Sequence, residues 1–471
     1  MTSDAATDLI SQARRARVAV VGGGIAGLVA ALHCAKVGIR VTLFESSERL
    51  GGIVASAELD GTTTDVAADG FRVAPGAFDD LIDELGLRDR VVPARDADTW
   101  VAGPHGVAPL PEASILGIPA TPFDARVRRI VGTAGAWRAY VDRLRPPLTI
   151  GVERNLGALV QKRMGARVLE RMIAPLTYGI HGVPPEQVDV DRAARGLNSA
   201  LTRTGSLSGA VAQQLPDTDA ASRPSRATID GGMSVFVNAL AARLADLGVD
   251  VRMGTEVTAI SPTADGWTVT TTVDDETFDV DAVIVATPER AARHLIAAHL
   301  TGLDGPVLSP DDVDVVTLVV DAAALDARPR GHAVYATPGE AAALAVVHAS
   351  ATWPHAAGEP HIVRVTIPAS EQTDAEAIAT STAAAAELLG ADLGTVRASY
   401  RARWPRALPS SALSPARDEV RRAVRTDARL GVVGAWIDGT GLARVAADAK
   451  TEAERIRSGL LWHGDTEGAS R

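Results

Sequence analysis

What this chain has little of narrows its chemistry. It holds one cysteine in 471 residues, so structural disulfides, CxxC redox pairs, thiolate zinc sites and cysteine-ligated iron–sulfur clusters are excluded. Cys34 itself lies in an apolar helical stretch and reads as a small packing residue, and a reducing, cytoplasmic location fits such a chain. Only three of the 47 basic residues are lysine (Lys36, Lys162, Lys450); beside heavy Ala, Asp and Val usage, that skew carries no functional weight. Positive charge is in deficit, with a formal net charge of −11, which gives no general attraction to nucleic acid or anionic lipid. No segment approaches the roughly 20 consecutive apolar residues of a membrane span. Arg14-Arg15 ahead of the apolar stretch from Val18 to Ala35 imitates a twin-arginine leader, but a glycine array occupies that stretch and it reads as folded protein.

What is present begins with a nucleotide signature. Arg17 to Val21 is a β-branched run suited to a buried parallel strand, and it enters Gly22-Gly23-Gly24-Ile25-Ala26-Gly27 directly. A helix from about Leu28 to Val37 and a second strand from Arg40 to Phe44 follow, closing on Glu45. In this order Gly22 makes the tight turn, Gly24 lets backbone approach a pyrophosphate, and Gly27 lets helix pack on strand. The unpaired N–H groups of the helix amino end, at Ile25 and Ala26, then face the phosphates. Glu45, 18 residues beyond Gly27, stands where a carboxylate can accept both ribose hydroxyls.

The next residues, Ser46-Ser47-Glu48-Arg49-Leu50-Gly51-Gly52, following Glu45, resemble the E-x(3)-R-x-G-G extension of the flavin amine oxidase and porphyrinogen oxidase superfamily, which favours FAD over NAD. Gly51 and Gly52 would let backbone pass the ribityl and flavin, while Arg49 neutralises phosphate charge or stands as an exposed loop arginine. The chain is expected to return to the nucleotide unit twice. The first return runs from Ile229 to Pro288, with a helix over Val235–Leu247, a hairpin over Trp267–Thr272 and Phe278–Val280, and Val257 placing backbone beside the adenine. The second is a strand over Leu430–Trp436 and a turn in which Thr440, Gly441 and Leu442 meet the flavin carbonyl edge; a plain helix cap at Asp438 or Thr440 explains that turn equally well.

Between the returns lie two insertions. Leu156, Leu159, Val160, Met164, Val168, Leu169, Met172, Ile173 and Leu176 follow helical spacing in the first. Its other face is basic: Arg126 to Arg171 holds 11 Lys/Arg against three acids, a local +8 that reads as a solvated face or as a site for an acidic substrate, partner or membrane surface. The second insertion, about Pro306 to Pro409, alternates as an antiparallel sheet. The resulting fold class is α/β: a discontinuous FAD-binding Rossmann-type domain (16–78, 226–292, 418–462), a helical insertion (115–207) and an antiparallel-sheet substrate-binding domain (79–114, 300–410). Residues 216–227 read as a loop, and Thr2–Arg15 and Gly464–Arg471 as frayed ends.

From Val18 to Leu460 the order of features resembles the porphyrinogen oxidase family. Besides the nucleotide motif, the resemblance rests on Asp69-Gly70-Phe71-Arg72, on the segment Thr149–Gln187 with Gly179-Ile180-His181-Gly182-Val183-Pro184, and on Arg403-Trp404-Pro405-Arg406-Ala407-Leu408-Pro409. Two places depart from it: Ala67-Ala68 stands where the family has Gly-Pro, and Gly441-Leu442-Ala443-Arg444-Val445-Ala446 where it has G-[VI]-P-D-C-I. The resemblance implies oxidation of a porphyrinogen, coproporphyrinogen III more than protoporphyrinogen IX, by FAD and O₂ in haem biosynthesis. Its implied partners are the porphyrinogen, O₂ and the next enzyme of the haem pathway, with no metal and no catalytic nucleophile. Arg72 is the expected propionate contact, with a structural ion pair as the alternative; Tyr178 and His181 are candidate substrate contacts, with turn and packing as the plainer role. The competing functions are an amine or polyene oxidase, for which 4 % aromatic residues give little support, and a flavin-folded porphyrin carrier without catalysis.

Overall fold

The structure is a computed structural model that describes residues 3–73, 75–144, 153–215, 226–273, 275–300, 307, 309–354, 360–407, 411–412 and 415–462. Its organising element is a five-stranded parallel sheet. Strands β1 (Arg17–Val21), β2 (Arg40–Phe44), β3 (Asp250–Arg252), β4 (Ala282–Val285) and β5 (Leu430–Val432) lie in the order β3-β2-β1-β4-β5. All pairings are parallel, with Val18 to Val21 opposite Ala282 to Val285. Such a sheet needs cover on both faces, and its strands, buried over Val18–Val21, Ala282–Val285 and Leu430–Val432, receive it. On one side α1 (Ile25–Ala35) and α2 (Leu442–Trp462) pack together through Leu28, Leu32, Ala446, Ala449 and Ile456. On the other, the hairpin residues Ile260, Trp267 and Val269 join Val283, Val285 and Leu430.

Two readings near this sheet are corrected. The strand expected over Leu430–Trp436 stops at Val432, because Gly434 turns the chain at φ 126° and Ala435–Asp438 forms a single helical turn, with Trp436 Nε1 donating to Thr287 O at 3.1 Å. The frayed start is a helix from Ser3 to Arg15: Ala13 is buried in the core and Gln12 Nε2 donates to Leu460 O. Residues 216–225 and 463–471 lie outside the described residues.

The stretch after the flavin-type glycine pair divides between two cores. Phe78, Leu81, Ile82 and Leu87 share the core of the nucleotide unit, and Val91–Pro93 pairs with Arg226–Ile229. Thr99–Gly103 and Gly106–Pro109 join a seven-stranded sheet instead. That sheet runs through Thr395–Trp404, Val313–Asp321, His361–Pro368, Ala345–His348 and Ala333–Ala336 before reaching them; its pairings are antiparallel except Ala333–Ala336 with Thr99–Ala102.

The alternation of this sheet decides where side chains go. Val316, Leu318, Val320, Val363 and Val365 pack against Ala377, Ala384 and Leu388 of the helix Asp374–Leu389. Their neighbours in register, Thr317, Arg364, Tyr335 and Trp404, therefore take the opposite face. The helical insertion has a core of its own, built by Leu156, Val160, Met164, Met172 and Ile173, and Tyr335 packs against it. Within it Leu169–Ile173 and Thr177–His181 wind as π-helix, a form that recurs at functional sites.

Candidate functional site

The glycine array forms a cradle made of backbone. Gly22 sits at φ 109° with its N–H on Phe44 O at 2.8 Å, and a Cβ there would lie 2.9 Å from Ala286 O. A Cβ on Gly27 would lie 1.9 Å from Gly22 O, so helix and turn can touch only through glycine. Gly24 differs: a Cβ there meets nothing closer than Gly52 Cα at 4.0 Å, leaving open ground at the helix tip. Helix α1 starts at Ile25 without any side-chain cap, so the amides of Ile25, Ala26 and Gly27 stay available to an anion.

Glu45 is already oriented at the end of β2. Its Oε2 accepts from Gly23 N at 2.7 Å, and its Oε1 accepts from Ser47 N at 2.8 Å and Ser47 Oγ at 2.7 Å. Three bonds leave part of a carboxylate's acceptor capacity free. The backbone of Glu45 receives Thr255 N at 2.9 Å, which brings the strand opening at Val257 to the same end of the sheet.

Beyond Glu45 the second glycine pair folds back on the first. Gly51 N donates to Gly23 O at 2.8 Å, and Gly52, at φ 62°, faces Gly24. Arg49 spans outward from this loop: its Nη1 donates to Gly52 O at 2.8 Å and its guanidinium lies over the Trp404 ring, 5.2 Å from the centroid. No local pattern around Arg49 announces that second contact. Thr440, Gly441 and Leu442 open helix α2, with Gly441 at φ 107° and open space where a Cβ would be. The departing Arg444 turns back on its own loop, pairing with Asp438 Oδ2 at 3.2 Å.

The loop Asp65–Asp69, which carries Ala67-Ala68, is held from three directions. Asp65 accepts Met233 N at 3.0 Å and Ser56 Oγ at 2.7 Å; burial pushes its carboxyl up despite those bonds. Arg364 reaches across from the substrate-side sheet, donating to Asp65 O at 3.1 Å and to Ala67 O at 3.4 Å and pairing with Asp69. Trp353 Nε1 donates to Asp69 Oδ2 at 2.7 Å, and Arg226 lies over the Trp353 ring. Burial pushes the Asp69 carboxyl up, but Arg364, Arg226 and the Trp353 bond outweigh it and hold it below the ordinary range. Gly70 is fixed by the same cluster, since a Cβ there would meet Trp353 Cη2 at 2.8 Å. Arg364, Asp69 and Trp353 lie some 300 residues apart in places, and no local pattern announces them.

Arg72 is exposed on the short strand Phe71–Arg72, directly opposite Arg226. Tyr178 and His181 lie in the π-helical turn, where Gly179 presses on the Tyr335 ring and Tyr178 O accepts Arg406 Nη2 at 2.8 Å. Burial and then the Arg406 charge lower His181 to about 4, so its ring is neutral at pH 7. Burial and then Glu186 raise the Tyr178 hydroxyl. The structure thus joins Tyr178 and His181 to Arg406, and Arg49 to Trp404, while Arg72 stands beside Arg226 on a separate strand pair.

Residues 25–457 match the family described as flavin containing amine oxidoreductase. The chain belongs to that family. FAD is the cofactor of this flavin containing amine oxidoreductase, and the open tip at Gly24, the uncapped helix end and the pre-set Glu45 fit its nucleotide half. Among curated relatives, the coproporphyrinogen III oxidase of Mycobacterium tuberculosis (strain ATCC 25618 / H37Rv) is 30 % identical over 285 residues, 59 % of this chain and 60 % of that protein. The match thus spans less than two thirds of that relative's length. The coproporphyrinogen III oxidase of Mycobacterium leprae (strain TN) is 27 % identical over 458 residues, 93 % of this chain and 98 % of that protein. A solved structure of a protein from Exiguobacterium sp. 255-15 superposes with a TM-score of 0.81 at 22 % identity, covering 94 % of this chain and 98 % of its own, which establishes the fold.

Proposed function

We propose that this flavoprotein oxidises coproporphyrinogen III to coproporphyrin III with O₂ as acceptor, a step of haem biosynthesis. Six electrons and six protons leave the macrocycle and three O₂ become three H₂O₂. Bound FAD supplies the two-electron acceptor that links them. In this reading Gly22, Gly24, Ile25, Ala26 and Gly27 hold the pyrophosphate, Glu45 the ribose and Val257 the adenine. Gly51 and Gly52 pass the ribityl, Arg49 braces their loop, and Thr440, Gly441 and Leu442 turn amides toward the flavin carbonyl edge. Arg72, Tyr178 and His181 remain the substrate contacts, and a neutral His181 is able to accept a proton leaving the ring system.

One observation carries the reading. The turn Tyr178–Gly182 and the element Arg403–Ala407, two of the segments that resemble porphyrinogen oxidases, meet through Arg406, two residues along the chain from the Trp404 ring that carries Arg49 of the flavin loop. The sheet face that bears Arg364 and Trp404 is the side that meets the flavin-side loops, Arg364 at Ala67 O and Trp404 at Arg49. Among the described residues no helix is long and apolar enough to cross a membrane, and with one cysteine the chain reads as cytoplasmic, passing its product to the next enzyme of the pathway. Adding coproporphyrinogen III, protoporphyrinogen IX or a primary amine to the FAD-loaded protein and following H₂O₂ release with porphyrin absorbance tests this. Turnover is expected with the porphyrinogens, fastest with coproporphyrinogen III; turnover of amines alone overturns the reading.

A further inference from the structure

Arg406, half-buried, stands out by its surroundings. Arg163 has Asp142 at 3.0 Å, Arg364 has Asp69, and Arg421 has Asp448 at 2.6 Å. Arg406 has a single acceptor among the described residues, the carbonyl of Tyr178, and no carboxylate. Burial lowers its pKa, and no acid raises it back. A guanidinium has five N–H donors in a rigid fork, so most of the Arg406 donors are free for another acceptor. None of its nitrogens is both buried and unpaired, so those donors look onto accessible space rather than into packed protein.

The turn is shaped around this side chain. Gly182 lies at φ 72°, and a Cβ there would fall 2.5 Å from Arg406 Cζ and 2.6 Å from Nε. Only glycine leaves the guanidinium its seat. One residue back, His181 is neutral and adds no second charge. Three residues back, Gly179 rests on the Tyr335 ring, and two residues before Arg406 the Trp404 ring carries Arg49, which is bonded to Gly52 O in the flavin loop. A half-desolvated cation with no carboxylate partner among the described residues thus sits against the turn that packs on Tyr335, two residues along the chain from the ring that carries Arg49.

We infer that Arg406 is a carboxylate-binding group of the substrate site beyond Arg72, taking one side-chain carboxylate of a polycarboxylate tetrapyrrole in a forked pair and so helping to fix how the macrocycle is placed relative to the flavin loop. This rests on the proposed porphyrinogen oxidation and names a specificity residue for it. A carboxylate arriving there supplies the charge that burial has left unmatched, whereas a neutral ring would leave it uncompensated.

The test compares the FAD-loaded wild type with Arg406→Gln and Arg406→Lys. KM and kcat are measured for coproporphyrinogen III, the Kd of the product coproporphyrin III is read from its fluorescence, and FAD content from the flavin absorbance. Losing a charge-assisted pair is expected to raise KM and Kd in Arg406→Gln about tenfold or more, with kcat changing far less and FAD content unchanged. Arg406→Lys, which keeps the charge but not the fork, is expected to fall between, and it carries the comparison if the glutamine variant does not fold. Unchanged KM and Kd overturn the inference, as does a loss of FAD in place of a loss of substrate affinity. If the wild type turns over no porphyrinogen, the proposed function fails by itself; the coproporphyrin Kd of the variants still decides what Arg406 binds.

Discussion

The nucleotide cradle and the face across from it are built by different means. The cradle uses backbone: glycines that admit close approach, an uncapped helix end, and one carboxylate whose position follows from strand length. The opposite face uses side chains delivered from distant strands, with Arg364, Asp69, Trp353 and Arg226 locked together and Arg406 left without an acid among the described residues. A cradle of backbone tolerates changes of side chain wherever no Cβ intrudes, but a side-chain cluster fails when one member is removed.

The largest effect is expected from Gly27→Val, whose Cβ would have to occupy the position 1.9 Å from Gly22 O. Helix α1 must then move off β1, and the purified variant should carry no flavin absorbance and melt well below the wild type; a yellow, normally stable variant would break the account of the cradle.

This asymmetry also governs what could be read without the fold. Gly22, Gly24, Gly27 and Glu45 are legible because strand, turn, helix and acid follow one another within about 30 residues, the length of a βαβ unit. The alternation of Val313 to Val320 likewise announced a strand that pairs antiparallel on both sides. Arg364 was not legible, since its partners Asp65, Ala67 and Asp69 lie almost 300 residues away and only the sheet register turns it toward them. Trp404 and Arg406 stood in a family-like element, yet nothing in that element tells which ring meets Arg49 or which guanidinium lacks an acid. The strand misread over Leu430–Trp436 has a local cause: hydrophobic content outweighed Gly434, whose φ of 126° ends the strand.

On the side-chain face, Arg364→Ala leaves a buried Asp69 and strips donors from Asp65 O and Ala67 O. Breaking one side of a buried pair costs about 3–5 kcal/mol, so chemical denaturation should show a loss of that size. A loss under about 1 kcal/mol, the worth of an exposed pair, would mean that the cluster is wet and loosely held.

His348 and His361 offer a pH test in the same domain. Their rings meet edge to face with Nε2 and Nδ1 3.4 Å apart, His361 also meets Asp326 at 3.3 Å, and Arg328 lines the same pocket. Burial, then His361 and Arg328, lower His348 to about 4 from an ordinary 6.5. The unfolded chain therefore takes up this proton first, and stability is lost as pH falls from 6.5 toward 4, by about 3 kcal/mol for this group. Denaturation between pH 7 and pH 4 should show a steep acid limb that His348→Asn flattens; equal slopes in the two proteins would contradict the assignment.

The smallest effect is expected from Glu45→Gln. Its fold-level bonds to Gly23 N and Ser47 keep one acceptor oxygen, so the melting temperature should hardly move while the Kd for FAD rises about tenfold. Titration of the flavin-free protein with FAD reads this directly, and an unchanged Kd would remove Glu45 from the ribose site.

The central claim is that electrons pass from a porphyrinogen into flavin held by the glycine cradle. Mixing the FAD-loaded protein anaerobically with coproporphyrinogen III tests it in one step. The account predicts that the flavin absorbance bleaches as the first two electrons enter it, and that admitting air restores the flavin with release of H₂O₂ and brings up porphyrin absorbance as the six-electron oxidation completes. Flavin that stays oxidised in the presence of excess coproporphyrinogen III would contradict it.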